Sequence, residues 1–482
     1  MKRAVLGPSL VLAAACAAVG PDHQPPETRA AMPKTWREED SGFFTGSSDP
    51  ITWWRRLEDP VLEGLVERAV GGGLDVREAL ARVRESRALR GASNAEKYPV
   101  LDANALFVRR AESENTQFGS FVEDTNQFSA GFDAAWELDL WGRVRRLVEA
   151  ADAGLQATVE DARDVAVSVA AETAITYVEL RAFQLRVAIA RTNVELQEET
   201  LALVRTRFEA GIVRERDVAQ AATNVETTRS RVPALEVGAR VAENRLAVLL
   251  GLPPGSLAGE LAETKPIPVA PVGIAVGMPA DLLRRRADVR SAERVLAAEN
   301  ARIGVAEADL YPRLTLAGSI GLAAEDAQDL AEGDSVFFGL GPTIRWNLFD
   351  AGRRRDLVEA QDARTEQARV RWERTVLRAL EETENAMVEF AREHSRRNAL
   401  GEAATQARLA VELARSQYAE GLSDFQTVLD SQRVLADLED DLARSDAAIT
   451  ISLISLYKAL GGGWELAEPP ARVGWRAPGD RD

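Results

Sequence analysis

Histidine and cysteine are nearly absent from this 482-residue chain, which contains two of the first and one of the second. Such numbers leave almost no side chains for a histidine- or cysteine-based metal site, and none for a disulfide framework. The sequence also lacks G-x-S-x-G, H-E-x-x-H and any phosphate-binding glycine loop. We therefore expect no enzyme activity, no metal and no cofactor.

Long apolar runs and a positive charge balance are missing as well. No stretch of 18 apolar residues occurs, so the sequence predicts no membrane-spanning helix. The net charge of −17 has the wrong sign for binding the phosphates of nucleic acid, which is excluded as a partner. Aromatic residues form only 6% of the chain and charged residues 28%, which favours extended helical packing over one thick globular core.

The N-terminal segment has the pattern of a secretory signal. Lys2 and Arg3 precede an apolar stretch that ends in small residues just before Cys16. We expect residues 1–15 to be a signal peptide that is removed. Cys16 would then be the acylated first residue of a lipoprotein, and this covalent lipid is the one attached group we expect. The alternative is an ordinary signal peptide followed by an incidental cysteine.

The chain repeats itself at a spacing of 210 to 213 residues. FSAGFDAAWELDL, which begins at Phe128, corresponds to FGLGPTIRWNLFD, which begins at Phe338. A repeat of this length is half of a structure used twice. The predicted segments are an extension (16–60), a first repeat (61–251), a linker (252–279), a second repeat (280–461) and a tail (462–482).

Each half contains two segments in which apolar and polar residues alternate, as is typical of β-strands. These segments cover about 98–110, 127–140, 311–320 and 337–349. The loops that join them are acidic and contain neither Lys nor Arg. Trp136 and Trp346 lie near strand ends, where aromatic residues suit a membrane interface. The alternative is that both rings pack against neighbouring helices.

The remaining periodic segments predict helices, so the fold class is mainly α with a small β contribution. Two long stretches lack proline, and at about 1.5 Å per residue each would reach roughly 100 Å. Gly211 and Gly421 follow these helices with the conformational freedom that a tight turn needs. The predicted long helices are 143–208, 217–250, 353–418 and 424–460, and shorter helices near 61–97 and 280–310 precede the strands.

Four strands per chain cannot close a membrane barrel. An open sheet in lipid leaves its edge amides unpaired, at a cost of several kcal/mol each. The sheet therefore either packs inside a soluble domain or joins the sheets of other copies of the chain. Helices this long do not suit the cover of a small soluble sheet, so a barrel shared between copies is the better interpretation.

Several motifs, in order along nearly the whole chain, resemble the TolC/OprM-type outer-membrane efflux lipoproteins, also called the NodT group. The most specific is GMPADLLRRRADV at 277–289, which is similar to the family's GLPSDLLRRRPDI and departs from it at Ala287, where proline is usual. The segment that begins at Cys16, the pair Trp53-Trp54 and the turns around Gly211 and Gly421 also match.

The resemblance implies a homotrimer with a 12-stranded barrel in outer-membrane lipid and a tube of coiled-coil α-helices in the periplasm. Such a duct passively conducts small molecules and catalyses nothing. Its partners would be a periplasmic adaptor protein and an inner-membrane transporter of the RND type. Two alternatives stay open, namely a duct for type I protein secretion and a structural periplasmic coiled-coil adaptor.

The resemblance also implies two groups of functional residues near the helix turns. Residues of the turns would contact the adaptor: Gly211, Ile212, Val213, Gly421, Leu422 and Ser423. Gln426, Asp430 and Arg433 would line a periplasmic gate, and their spacing of four and three puts them on one helix face. Gln426 stands where the family commonly has an apolar constriction residue. The alternatives are plain loop residues and ordinary solvated charges.

Overall fold

The computed structural model describes residues 18–26, 32–38, 42–44, 52–111, 113, 115, 125–269, 274, 276–281 and 285–463. The predicted signal peptide and Cys16 lie outside the described residues. Most of the first strand-joining loop and nearly all of the C-terminal tail also lie outside them.

Eleven elements set the architecture of the described residues, and they occur in matching order in the two halves. The first half contains α1 (Pro60–Gly72), α2 (Leu74–Ala95), β1 (Val100–Arg110), β2 (Thr125–Leu138), α3 (Arg143–Glu209) and α4 (Glu215–Leu249). The second half contains α5 (Ala287–Ala308), β3 (Arg313–Ala324), β4 (Val336–Arg345), α6 (Arg353–Ala419) and α7 (Phe425–Ala459). The long helices α3 and α6 have 67 residues each, which confirms the predicted helical class. No described helix is both long and apolar enough to cross a bilayer.

The two shorter helical segments differ from the prediction. The helix expected over 61–97 is divided into α1 and α2 at Gly73, where a side-chain Cβ would lie 2.8 Å from the carbonyl oxygen of Leu249. Only glycine permits that close approach. The helix expected over 280–310 begins later, at Ala287, after a short 3₁₀ turn over Pro279–Asp281.

The strand ends also differ from those expected. β4 ends at Arg345 instead of near 349, because the next residue would pair with Pro312, which has no backbone N–H to donate. β2 ends at Leu138, since Asp139 turns away to cap α3 by accepting from the amide of Val144 at 3.1 Å. β3 extends further than expected, to Ala324.

The strands form one antiparallel sheet in the order β1–β2–β3–β4. The pairing of β2 with β3 joins the two halves and sets Phe132 opposite Ile320. The sequence predicted the strands of each half but not this central pairing. As a result, β1 and β4 are the two open edges of the sheet within the chain.

The chain divides into two compact units, and each draws on both halves of the sequence. The first consists of 1–27, 83–158 and 292–372, and it contains the whole sheet. The second consists of 28–82, 159–291 and 373–482, and it contains both predicted helix turns. In the second unit Trp53 and Trp54 are buried, and the ring of Trp53 stacks on Tyr457 with centroids 5.7 Å apart.

Candidate functional site: apolar sheet and helix turns

One face of the sheet is apolar from one edge strand to the other. Residues opposite each other in an antiparallel ladder point to the same side, so the register assigns each residue to a face. The larger apolar side chains of this face are Leu101, Phe107, Phe128, Phe132, Trp136, Leu138, Leu314, Leu316, Ile320, Leu322, Phe338, Leu340 and Ile344. Phe338 is 83% exposed and Leu340 78% exposed. A patch of this extent marks contact with a membrane or another protein.

The opposite face of the sheet carries polar and small side chains together with the apolar Val100, Leu106, Val108 and Phe337. It presents Asp102 and Asn104 on β1, Asp133 on β2, Ser319 on β3 and Thr343 on β4. The amide of Asn104 donates a hydrogen bond to the carboxylate of Asp133. These polar groups suit contact with water, whereas the first face has no comparable set of polar side chains.

Trp136 and Trp346 both lie near strand ends, as the sequence predicted. Trp136 is close to the end of β2, and Trp346 is the first residue after β4. The indole Nε1 of Trp136 donates to the carbonyl oxygen of Lys97 at 2.9 Å, and that of Trp346 donates to Leu310 at 3.2 Å. The rings are 37% and 55% exposed, so each indole is anchored at one edge while much of its surface stays free.

Both long helices end in the same type of turn. The amide of Ile212 donates to the carbonyl of Arg207 at 2.9 Å, and the amide of Leu422 donates to Gln417 at 2.8 Å. Gly211 and Gly421 have φ values of 72° and 79°, in the left-handed region. This is the pattern of a Schellman cap, in which glycine closes the helix and reverses the chain.

The residues predicted to contact an adaptor have unequal exposure. Ile212 is 62% exposed and Leu422 is 74% exposed, so these apolar side chains extend from the turns. Val213 is half-buried against the core beside the turns. The hydroxyl oxygen of Ser423 is buried and has no hydrogen-bond partner among the described atoms.

Arg207 connects the two turns, a role that the sequence did not reveal. Its guanidinium lies 4.7 Å from the centre of the Tyr418 ring and donates to the carbonyl oxygen of Ala419 at 3.2 Å. Burial raises the pKa of the Tyr418 hydroxyl. The equivalent position in the second half is Gln417. This difference between the halves is the one sequence feature that could have drawn attention to Arg207.

The three predicted gate residues are exposed on α7. Gln426 donates from its amide to the carboxylate of Asp430 at 2.9 Å. The guanidinium Nε of Arg433 donates to the side-chain oxygen of Asn224 on α4 at 3.3 Å. Leu429 is only 1% exposed and belongs to the core beside the turns, so α7 has a buried apolar side as well as the exposed side that carries the three gate residues.

A buried polar layer fixes the gate segment to its neighbours. The amide of Gln432 on α7 donates to the hydroxyl of Thr200 on α3 at 2.8 Å, and its oxygen accepts from Asn224 on α4 at 3.4 Å. Buried amides cost free energy unless they are paired, so this layer specifies one position of α7. Sequence reasoning missed it because a single glutamine has no periodic signal. Within the described residues, no cluster of His, Cys, Asp and Glu could hold a metal ion.

Comparison with known proteins identifies relatives that match more than nine tenths of the chain. Nodulation protein T of Rhizobium leguminosarum bv. trifolii is 30% identical over 457 residues, which is 95% of this chain and 96% of that protein. The pyoverdine export outer membrane protein OpmQ of Pseudomonas aeruginosa is 31% identical, with 96% and 98% covered. The solved structure of the outer-membrane channel OprN superposes with a TM-score of 0.86 at 34% identity, and the match covers 92% of this chain and 99% of OprN.

These matches confirm the resemblance that the motifs predicted. The outer membrane efflux protein family matches residues 65–252 and again residues 278–462, so each half of the chain is matched once. The two matched ranges together make up more than half of the sequence. The chain therefore belongs to the outer membrane efflux protein family.

Proposed function

We propose that this protein is the exit duct of a tripartite efflux system, located in the outer membrane, and not an enzyme. The exposed apolar face of the four-stranded sheet is the observation on which the proposal rests. A sheet with one apolar and one polar face matches the wall of a membrane channel, with lipid outside and water inside. Exposed side chains such as Phe338 and Leu340 then contact lipid.

The open edges of the sheet favour a homotrimer, in which three copies supply the strands of one barrel. Unpaired edge amides are costly in lipid, and pairing β4 with β1 of a neighbouring copy removes both edges at once. The duplication also predicts the register of this pairing. Within the chain, Asp133 of β2 lies opposite Ser319 of β3. Asp133 corresponds to Thr343 on β4, 210 residues later, and Ser319 corresponds to Leu106 on β1, 213 residues earlier. Thr343 of one copy should therefore lie opposite Leu106 of the next copy.

A disulfide between copies tests the trimer and its register together. In Thr343→Cys/Leu106→Cys, the two thiols would face each other on the polar side, so oxidation should give a covalent trimer on a non-reducing gel. The control is Thr343→Cys/Ala105→Cys, because Ala105 lies on the apolar face and should not cross-link. A protein that stays monomeric in both variants would overturn the homotrimer.

The partners follow from the proposed role. A periplasmic adaptor would contact the two helix turns, where the exposed Ile212 and Leu422 offer apolar side chains to another helix. An inner-membrane transporter of the RND type would drive the flow. Cys16 would be acylated and add a lipid anchor to the barrel. Mass spectrometry of the mature N-terminal peptide tests this anchor, which is absent if Cys16 is unmodified.

Gln426, Asp430 and Arg433 are proposed to narrow the periplasmic end of the duct. In a trimer each residue occurs three times around one axis, so three Asp430 carboxylates would attract cations. The exposure of all three side chains supports this role. Their hydrogen bonds to Asn224 and to each other would order the constriction.

The function is tested in a Gram-negative host that lacks its own exit duct but retains the periplasmic adaptor and inner-membrane pump of that efflux system. Expression of the protein should lower the accumulation of small fluorescent pump substrates. Export of a large protein substrate, with no effect on small molecules, would favour the type I secretion alternative instead.

A further inference from the structure

A strongly basic pocket lies where the sheet meets α5 and α6. This cavity of about 620 Å³ is lined by six arginines, one carboxylate, Asp309, and apolar side chains that include Leu147 and Leu357. The arginines are Arg302, Arg313, Arg345, Arg353, Arg354 and Arg364. Such a concentration of one charge is unexpected in a chain whose net charge is −17.

Among the described residues, carboxylates neutralise only part of this charge. Arg302 pairs with Glu299, Arg313 with Asp309, and Arg354 with Asp350 at 3.5 Å. Arg364 donates to the neutral side chain of Gln361.

Arg345 and Arg353 are exposed, and no carboxylate among the described residues forms an ion pair with either. Arg345 also lies directly opposite Arg313 in the sheet. Like charges in facing positions repel each other, so the pocket keeps an unbalanced positive potential at the end of β4.

The first half of the chain shows that the fold does not require this charge. Arg143, the counterpart of Arg353, pairs with Glu137 at 2.8 Å and with Glu96 at 3.1 Å. Glu137 is replaced by Asn347 in the second half. The counterparts of Arg302, Arg313, Arg345 and Arg364 are Leu89, Val100, Ala135 and Gly154. The excess of arginine is therefore specific to one of two similar structural positions.

The pocket opens on the polar side of the sheet. Arg313 and Arg345 both belong to the polar face by register. On α5, the side that faces away from Arg302 is covered by the N-terminal segment, where the amide of Asn300 donates to the carbonyl of Pro21 at 2.9 Å. In the proposed duct the polar face lines the channel, so the arginines face the transported solute.

We propose that this pocket binds the anionic group of transported small molecules, such as a phosphate, sulfate or carboxylate, and favours their passage through the duct. This inference rests on the proposed function. Guanidinium groups bind such oxyanions through paired N–H donors, and they remain charged at any physiological pH. Arg345 and Arg353 provide the unpaired donors, while Arg313 and Arg354 add charge.

Inorganic pyrophosphate is a suitable probe, since it offers the anionic oxygens without a specific organic part. Purified trimer in a neutral phosphatidylcholine bilayer should show a conductance that pyrophosphate reduces. In Arg345→Gln/Arg353→Gln the half-blocking concentration should rise at least about tenfold, as two charge-assisted contacts are lost. The control is Arg355→Gln/Arg378→Gln, which removes the same charge from exposed positions of α6 outside the pocket.

Calorimetric titration of pyrophosphate into detergent-solubilised protein measures the pocket without requiring conduction. Binding that is lost only in the pocket variant supports anion binding by the pocket, and an absence of conduction beside such binding would contradict the duct role alone. Equal binding or equal block in the parent and the pocket variant overturns it. A block that disappears when phosphatidylglycerol replaces phosphatidylcholine would identify a lipid headgroup as the occupant and would also overturn the solute assignment.

Discussion

The indole nitrogens of Trp136 and Trp346 make the same hydrogen bond in the two halves of the chain. Their acceptors are the carbonyl oxygens of Lys97 and Leu310, two residues that are separated by 213 positions. Each bond joins the end of a strand to the segment that leads into the neighbouring strand. The duplication has thus preserved a contact, and not only a residue type.

Removal of this bond should lower stability without loss of the aromatic ring. Trp136→Phe eliminates the N–H donor, and a typical hydrogen bond contributes about 1 kcal/mol. The midpoint of chemical denaturation should fall, and it should fall less for Trp346→Phe, whose bond is longer. An unchanged midpoint for Trp136→Phe would leave membrane-interface contact as the sole role of this ring.

A charge on the apolar face of the sheet should prevent stable insertion. Phe132→Arg should cost about 2–4 kcal/mol if the residue lies at the middle of the bilayer. Ser319→Arg is the matched control, because it adds the same side chain to the polar face, opposite the carboxylate of Asp133. Unfolding in lipid vesicles measures the difference. Equal costs for the two variants would contradict the assignment of the faces.

Loss of the Arg207 side chain should loosen the second helix turn. Arg207→Gln removes the contact with the Tyr418 ring and the charge at the end of α6, which together contribute about 1–2 kcal/mol. The backbone amide of Leu422, which closes the turn, should then exchange its hydrogen faster. Arg205→Gln, an exposed neighbour, should leave the exchange rate unchanged, and similar rates in both variants would exclude a specific role for Arg207.

Substitution of the gate residues should widen the duct. Asp430→Ala/Arg433→Ala should raise single-channel conductance and reduce cation selectivity, while trimer formation remains intact because both side chains are exposed. The control is Gln220→Ala/Thr223→Ala, which changes the equivalent positions of α4. The gate lies elsewhere if a folded trimer of the first variant conducts like the parent.

Stability should depend on pH through Asp164. Burial, followed by the nearby charge of Asp288, raises the pKa of this carboxyl to about 6, although Arg286 and Lys458 oppose the rise. The folded state then holds a proton more tightly than the unfolded state, whose pKa is near 3.8. The stabilisation of the folded state by protonated Asp164 is therefore fully present below about pH 4. It is lost as the pH rises to about 6, and it stays absent above that value.

Asp164→Asn should accordingly raise stability above pH 6 by about 1–3 kcal/mol, as one pKa unit corresponds to about 1.4 kcal/mol. The difference should vanish near pH 4. Thermal unfolding midpoints at pH 4.5 and 7.5 measure this change. The exposed carboxylate variant Asp362→Asn should show no such dependence, and a midpoint for Asp164→Asn that follows the parent at both pH values would contradict the assignment.

Periodicity predicted the helices and strands well, because each long element has one repeating pattern over many residues. The breaks were harder to predict. Gly73, at the break between α1 and α2, closely approaches the backbone of Leu249, which is distant in the sequence. β4 stops at Arg345 because of Pro312 on another strand. Both contacts are tertiary, so no local pattern contains them.

The candidate sites likewise include residues that local spacing predicted and contacts that depend on the tertiary structure. Spacing alone placed Gln426, Asp430 and Arg433 on one side of a helix, since that depends only on helical geometry. The partner of Arg433 on α4 and the basic pocket were not foreseen. The pocket arises where β3, β4, α5 and α6 converge, and its arginines come from segments with no shared sequence pattern.

The open edges β1 and β4 have a consequence for assembly. In the proposed trimer, β4 of one copy would pair with β1 of the next. Such a contact joins two different edges, so it would be heterologous, and only a fixed rotation between successive copies would turn it into a ring. A copy whose sheet is too flat would add partners without end and form a filament. Gly131 and Gly321 lie opposite each other at the centre of the sheet, where a Cβ on either would meet the backbone of the other strand. A side chain at either position would therefore push β2 and β3 apart, and the rotation that closes the proposed ring would change with it.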